Sequence, residues 1–161
     1  MTHPAFSFLA VDPMGWSGDW IWGLPLIVLT VIIHVAGLGF TGKRTVRLSG
    51  GRLERDHPTL VFVMIVATTT LLATCLHAIE AGIWAGAYTL LDALPDSRSA
   101  MLYSLSAMTS YGHEHLVLEG QWQLLGALES LDGWLLFGLT AAFLIGVIQK
   151  VWLLSSKEKH R

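Results

Sequence analysis

Three apolar stretches, Ile21 to Gly42, Thr59 to Leu91 and Gly126 to Leu154, constrain this chain more than any other feature. Each is long enough to cross about 30 Å of hydrocarbon at about 1.5 Å per helical residue. Lipid offers no partner to backbone N–H and C=O groups, so stretches of this kind are expected to be helices. Composition agrees: 53% of the 161 residues are hydrophobic and only 14% are charged, against roughly 25% charged in soluble domains. A net charge of −2 argues against a nucleic-acid partner, and the apolar content argues against disorder. The single cysteine, Cys75, allows no intrachain disulfide and no Cys-rich metal site built from one chain. No Lys or Arg precedes the first apolar stretch, so a cleavable leader is not expected and the first span should stay in the mature protein.

The charges set an expected topology. Lys43, Arg44, Arg47, Arg52 and Arg55 crowd the 43–58 loop, Lys150, Lys157, Lys159 and Arg161 lie at the end, and Arg98 stands alone. By the positive-inside rule, that loop and the 155–161 tail face the cytoplasm, while the 1–20 segment and residues 92–125 face out. Asp12, Asp19, Asp92, Asp96, Glu114 and Glu119 all fall in outward segments, an external rim whose sign would favour cations. Trp16, Trp20 and Trp22 suggest a membrane interface, and Pro25 is expected in the opening turn of the first span.

Between the second and third stretches, Pro95 and Asp96 break the chain, and residues 99–110 read as a short helix capped by Asp96, Ser97 or Ser99. Such a helix is too short to cross a bilayer. Placed between two spans on one face, it is expected to be re-entrant, buried in protein or lining water.

That order of elements resembles the pore domain of tetrameric potassium-channel-like proteins: outer helix, pore helix, filter loop and inner helix. In that family the filter reads Thr-Val-Gly-Tyr-Gly-Asp. Laid without gaps on this chain, it falls on Ser110, Tyr111, Gly112, His113, Glu114 and His115, and only Gly112 is identical. Trp122 matches a tryptophan common at the start of the inner helix, Gly133 falls where a hinge glycine is frequent, and Phe137-Gly138 repeats a pair seen after it. The segment from Ala93 to Leu154, where a Leu94-Pro95-Asp96 turn leads into Tyr103-Ser104, is similar to short bacterial ion channel proteins.

The resemblance covers residues 59–154. It implies an all-α membrane protein with three transmembrane helices, a re-entrant pore helix and a filter-like loop between the second and third. The outer helix would span 59–91, the pore helix 99–110, the filter-like loop 110–115 and the inner helix 126–154, with 21–42 as an additional first helix. It further implies a homotetramer in a bacterial-type inner membrane, with lipid around it, no nucleic-acid partner, no resident cofactor, and K+, Na+ or Ca2+ as candidate permeant cations. The filter-like set is Thr109, Ser110, Tyr111, Gly112, His113, Glu114 and His115, and the inner-helix hinge candidates are Gly133 and Gly138. Glu114 stands at the filter's second glycine, whose conformation residues with a Cβ resist, so high potassium selectivity is not expected. Four copies of Glu114 with His113 and His115 would ring an outer mouth, and His protonation below about pH 6.5 would weaken its attraction for cations.

Polar residues inside the spans extend the expected site. Thr70, Thr74, His77, Glu80, Trp84 and Tyr88 recur at three- and four-residue spacing and share a helix face. Charge there is costly and usually partnered, so His77, Glu80 and Trp84 are expected to support the filter from behind. Glu129 and Asp132, in the first turns of the third span, suit a helix N-terminus or would add negative field at the vestibule or filter scaffold. Two other readings remain: a non-conducting pore-like accessory subunit, or a small haem- or metal-binding membrane protein using His34, His77 and the His113/His115 pair. The His77/Glu80 spacing also occurs in metal sites of helix bundles. An enzyme is not expected, because phosphate loops, nucleophile elbows and kinase motifs are missing.

Overall fold

A computed structural model of the chain describes residues 13–48, 57–112 and 116–158. The described residues form four α-helices and one 3-10 turn, without strands. They are α1 (Pro13–Leu48), α2 (Pro58–Leu90), α3 (Ser97–Met108), the 3-10 turn (Gly120–Trp122) and α4 (Gln123–Glu158). Three segments are long and apolar enough to cross a membrane: Ser17–Lys43, Thr59–Leu90 and Gly120–Lys150. Among the described residues the architecture is all-α, and its three long helices are compatible with a multi-pass membrane protein.

The three long helices pack together, and α3 fits between α2 and α4. Their outward faces are apolar: Ile21, Ile32, Leu71, Ile79 and Ile145 are exposed in the single chain, as expected of surfaces that meet lipid. The main core lies at one end, where Leu26, Trp84, Tyr88, Ala100, Leu118, Leu125 and Leu128 are buried together. A smaller cluster of Val61, Ile65 and Val147 closes the other end.

Local chemistry explains most boundaries. Asp96 alone caps α3; one carboxylate oxygen accepts from the Arg98 and Ser99 N–H groups at 2.9 and 3.0 Å, and the other from the Ser99 hydroxyl at 2.7 Å. These bonds favour the charged form and hold the Asp96 carboxyl below its usual range, with the Ser99 hydroxyl first among them. Two helix ends share one device. At α2 the Asp92 and Ala93 N–H groups bond back to the Thr89 and Tyr88 carbonyls, and at α3 those of Ser110 and Tyr111 bond back to Ala107 and Ser106. Each is a Schellman cap with a non-glycine residue in the left-handed region, Asp92 at φ 49° and Ser110 at φ 54°.

Two sequence expectations change. Pro25 is inside α1, not in its opening turn; the helix starts twelve residues earlier, at Pro13, and continues past the bond that the proline nitrogen cannot make. The short helix runs from Ser97 to Met108 rather than over 99–110, because Thr109 and Ser110 form its cap.

Candidate functional site

Side chains of α1, α2 and α4 meet in a buried polar ladder of three tiers. On α2 the rungs are Tyr88, Trp84 and Glu80, spaced by four, which aligns them on one helix face. On α4 they are Glu129, Asp132 and Thr140, and on α1 Thr30 and His34. All eight are buried. Polar groups in such surroundings are costly unless each finds a partner.

The first tier ties α3 to the rest of the chain. The Tyr88 hydroxyl donates to Glu129 Oε2 at 2.6 Å. The Ser104 hydroxyl of α3 is close both to Glu129 Oε1 and, at 2.8 Å, to the Ala81 carbonyl of α2. In the second tier Asp132 Oδ2 accepts from Thr30 Oγ1 at 2.7 Å and from Trp84 Nε1 at 3.0 Å, while Asp132 Oδ1 is buried without a hydrogen-bond partner.

The third tier is a closed ring. His34 Nδ1 lies 2.8 Å from Glu80 Oε1, and His34 Nε2 lies 2.9 Å from Thr140 Oγ1. Across the ring, His77 Nε2 is 3.1 Å from the same Thr140 oxygen, and His77 Nδ1 is 3.3 Å from Glu80 Oε2. That last contact is an ion-pair distance whose geometry fails as a hydrogen bond, so Glu80 Oε2 has no hydrogen-bond partner. His34, His77 and Glu80 each bring one possible ligand atom within 4.8 Å of the others, the grouping among the described residues best suited to a metal ion. His77 is 29% exposed and opens onto a cleft of about 360 Å³ with Leu105, Met108 and Thr109 of the α3 end and Gly133, Trp134 and Phe137 of α4.

The remaining sequence-predicted residues divide. Glu80 is turned toward α1 rather than toward α3, and the carboxylate that bonds the short helix is that of Glu129; Trp84 supports Asp132 instead. Glu129 and Asp132 belong to the buried scaffold, where they bond side chains of α1, α2 and α3, and not to an open vestibule in this chain. Thr70 and Thr74 are exposed and bond their own helix backbone. Asp19, expected in an acidic rim, is 2% exposed and accepts from the Leu125 N–H at 3.2 Å, satisfying a free donor in the first turn of α4.

Of the filter-like set, Thr109, Ser110 and Tyr111 form the cap of α3, and Gly112 follows at φ 74°. Ser110 Oγ accepts from Trp134 Nε1 at 2.9 Å, and Tyr111 is 84% exposed. Ser110 and Gly112 line a second cleft, of about 400 Å³, with Tyr103, Ser106, Gln123 and Ser130. His113, Glu114 and His115 lie outside the described residues. Gly133 faces the end of α3, where a Cβ would run into the Met108 backbone, whereas Gly138 faces open space.

Sequence reasoning placed Glu80, Trp84 and Tyr88 on one face but missed His34, Thr30 and Thr140 as their partners. An ionisable residue in mid-span was the available signal for His34; a threonine in a helix carries none, because it commonly bonds its own backbone. The chain matches no protein-family model, no curated protein and no solved structure.

Proposed function

We propose that this chain is one subunit of a cation-conducting membrane assembly, a homotetramer in which residues 109–115 of each copy face a shared path. The supporting observation is the depth of α3. Its C-terminal residue Met108 abuts Gly133, and its end shares a cleft with His77. Gly133 and His77 each lie thirteen residues inside the outward end of their span, about 20 Å along a helix. On this reading α3 enters the membrane from the outer face and stops near its middle. The polar loop that follows then needs protein or water around it, which a pore between copies supplies.

The chemistry is that of a weakly discriminating cation path. Backbone carbonyls and a ring of four Glu114 carboxylates replace part of an ion's hydration, and the missing second filter glycine removes the regular carbonyl ladder that favours potassium. The N-terminus and the 92–125 segment lie outside and the basic 43–58 loop in the cytoplasm. One observation favours a second reading, a non-conducting accessory subunit: the cap at 109–111 turns all three of its N–H groups back onto α3, so an extended filter begins no earlier than Gly112.

Cation flux into proteoliposomes separates the two. Purified chain is expected to pass K+ and Na+ at comparable rates, and Glu114→Ala to change the ratio of monovalent to Ca2+ flux. A folded tetramer that passes none of the three ions would establish the accessory reading.

A further inference from the structure

We infer that His34, His77 and Glu80 form a binding site for a divalent first-row transition metal of the zinc class, with Thr140 as the shared outer partner of both imidazoles. This is independent of conduction. Two imidazoles and a carboxylate from two helices, with a fourth position left to water, are a common donor set for such an ion.

Four observations carry it. The first is spacing: metal–ligand distances of about 2.0–2.1 Å in a tetrahedron set ligand atoms about 3.3 Å apart. His77 Nδ1 and Glu80 Oε2 stand at that distance, 3.3 Å, and one ligand atom from each of His34, His77 and Glu80 lies within 4.8 Å of the others, so closing on an ion takes shifts of no more than about 1.5 Å between ligand atoms. The second is Glu80 Oε2 itself, fully buried and without a hydrogen-bond donor. A cation held between it and the two Nδ1 atoms satisfies it.

The third is the outer partner. When both imidazoles bind metal through Nδ1, both Nε2 atoms carry hydrogen and must donate. Both point at Thr140 Oγ1, at 2.9 and 3.1 Å, and a hydroxyl oxygen has two lone pairs to accept them. This is how metal-bound histidines are usually held. With both imidazoles neutral and Glu80 ionised, the ring has only three hydrogens for its four contacts, so one contact goes without.

The fourth is charge. Glu80 is fully buried, and no Lys or Arg is among the buried residues described. A divalent ion neutralises that carboxylate in surroundings where an unpaired charge is costly. His77, at the edge of the cleft, gives the ion a route in and leaves room for a water ligand.

The test is spectroscopic and needs no flux measurement. The full chain, purified in detergent and stripped with a chelator, is titrated with Co2+. One equivalent per chain should give the intense visible absorption of a tetrahedral cobalt centre, bleached by equimolar Zn2+. His77→Ala, which alters a side chain on the edge of a cleft, should abolish that absorption while helical circular dichroism and elution volume stay as in the wild type. Thr140→Val keeps every ligand and should weaken Co2+ affinity about 10–100-fold, while His57→Ala, at the far end of α2, should leave it unchanged. A wild-type chain of native helicity showing only octahedral cobalt, or a tetrahedral spectrum persisting in His77→Ala, would overturn the assignment.

Discussion

Replacing Gly133 with alanine tests how α3 is held. A Cβ built at Gly133 stands 2.7 Å from Met108 Cα and 2.8 Å from its carbonyl carbon, closer than packed atoms tolerate. The obstacle is backbone, so no side-chain rotation relieves it, and α3 must move away from α4. Overpacking of this kind costs about 1–3 kcal/mol, offset by about 0.8–1.0 kcal/mol from the better helix propensity of alanine. The net expectation is a loss of about 1–2 kcal/mol, taking the upper half of that overpacking range because a helix rather than a side chain must shift. Gly138 is the internal control, since nothing lies within 4 Å of its added Cβ; there alanine should be neutral or stabilising by up to about 1 kcal/mol. Reversible unfolding in mixed micelles, followed by circular dichroism, reads both variants against the wild type. Equal stability of Gly133→Ala and Gly138→Ala would refute the close packing of Met108 on α4 and the depth assigned to α3 with it.

Tyr88→Phe removes the donor to Glu129 Oε2 and leaves a buried carboxylate oxygen short of a partner; the expected loss is about 1–3 kcal/mol in the same unfolding assay, and an unchanged midpoint would contradict the ladder. Asp96 predicts a pH effect with a definite sign. Its carboxyl titrates below the ordinary value in the folded chain, so its contribution is present above an unfolded pKa of about 3.9 and is lost as the pH falls through the lower folded value. Amide exchange at Arg98 and Ser99 should accelerate in that acid window relative to Asp96→Asn, which caps without titrating; identical profiles would remove the capping carboxylate from the explanation.

The long helices were legible because about 20 apolar residues in a row have few alternatives. The start of α3 was nearly legible, since Asp96 after Pro95 is a strong stop-and-start signal. Its end was not: a Ser in the left-handed region is uncommon, and only the backbone shows Ser110 taking the place usually held by glycine. The ladder was half legible. Periodicity brings Glu80, Trp84 and Tyr88 to one face but is silent about which neighbour that face meets, and so it sent Glu80 toward α3 when its partner is His34 on α1. Pro25 misled for a related reason: the first-turn preference of proline says nothing when a helix begins far upstream of the apolar run.

The central claim is that the loop after α3 faces the path taken by ions, and Tyr111 offers the most direct access to it. In a Cys75→Ser background, so that no other thiol reacts, Tyr111→Cys is reconstituted and single-channel currents are recorded while a charged methanethiosulfonate is added from the outer side. The account predicts stepwise block as the loops of successive subunits are modified, absent from the Cys75→Ser parent. Full-sized currents after mass spectrometry has confirmed complete modification would contradict it.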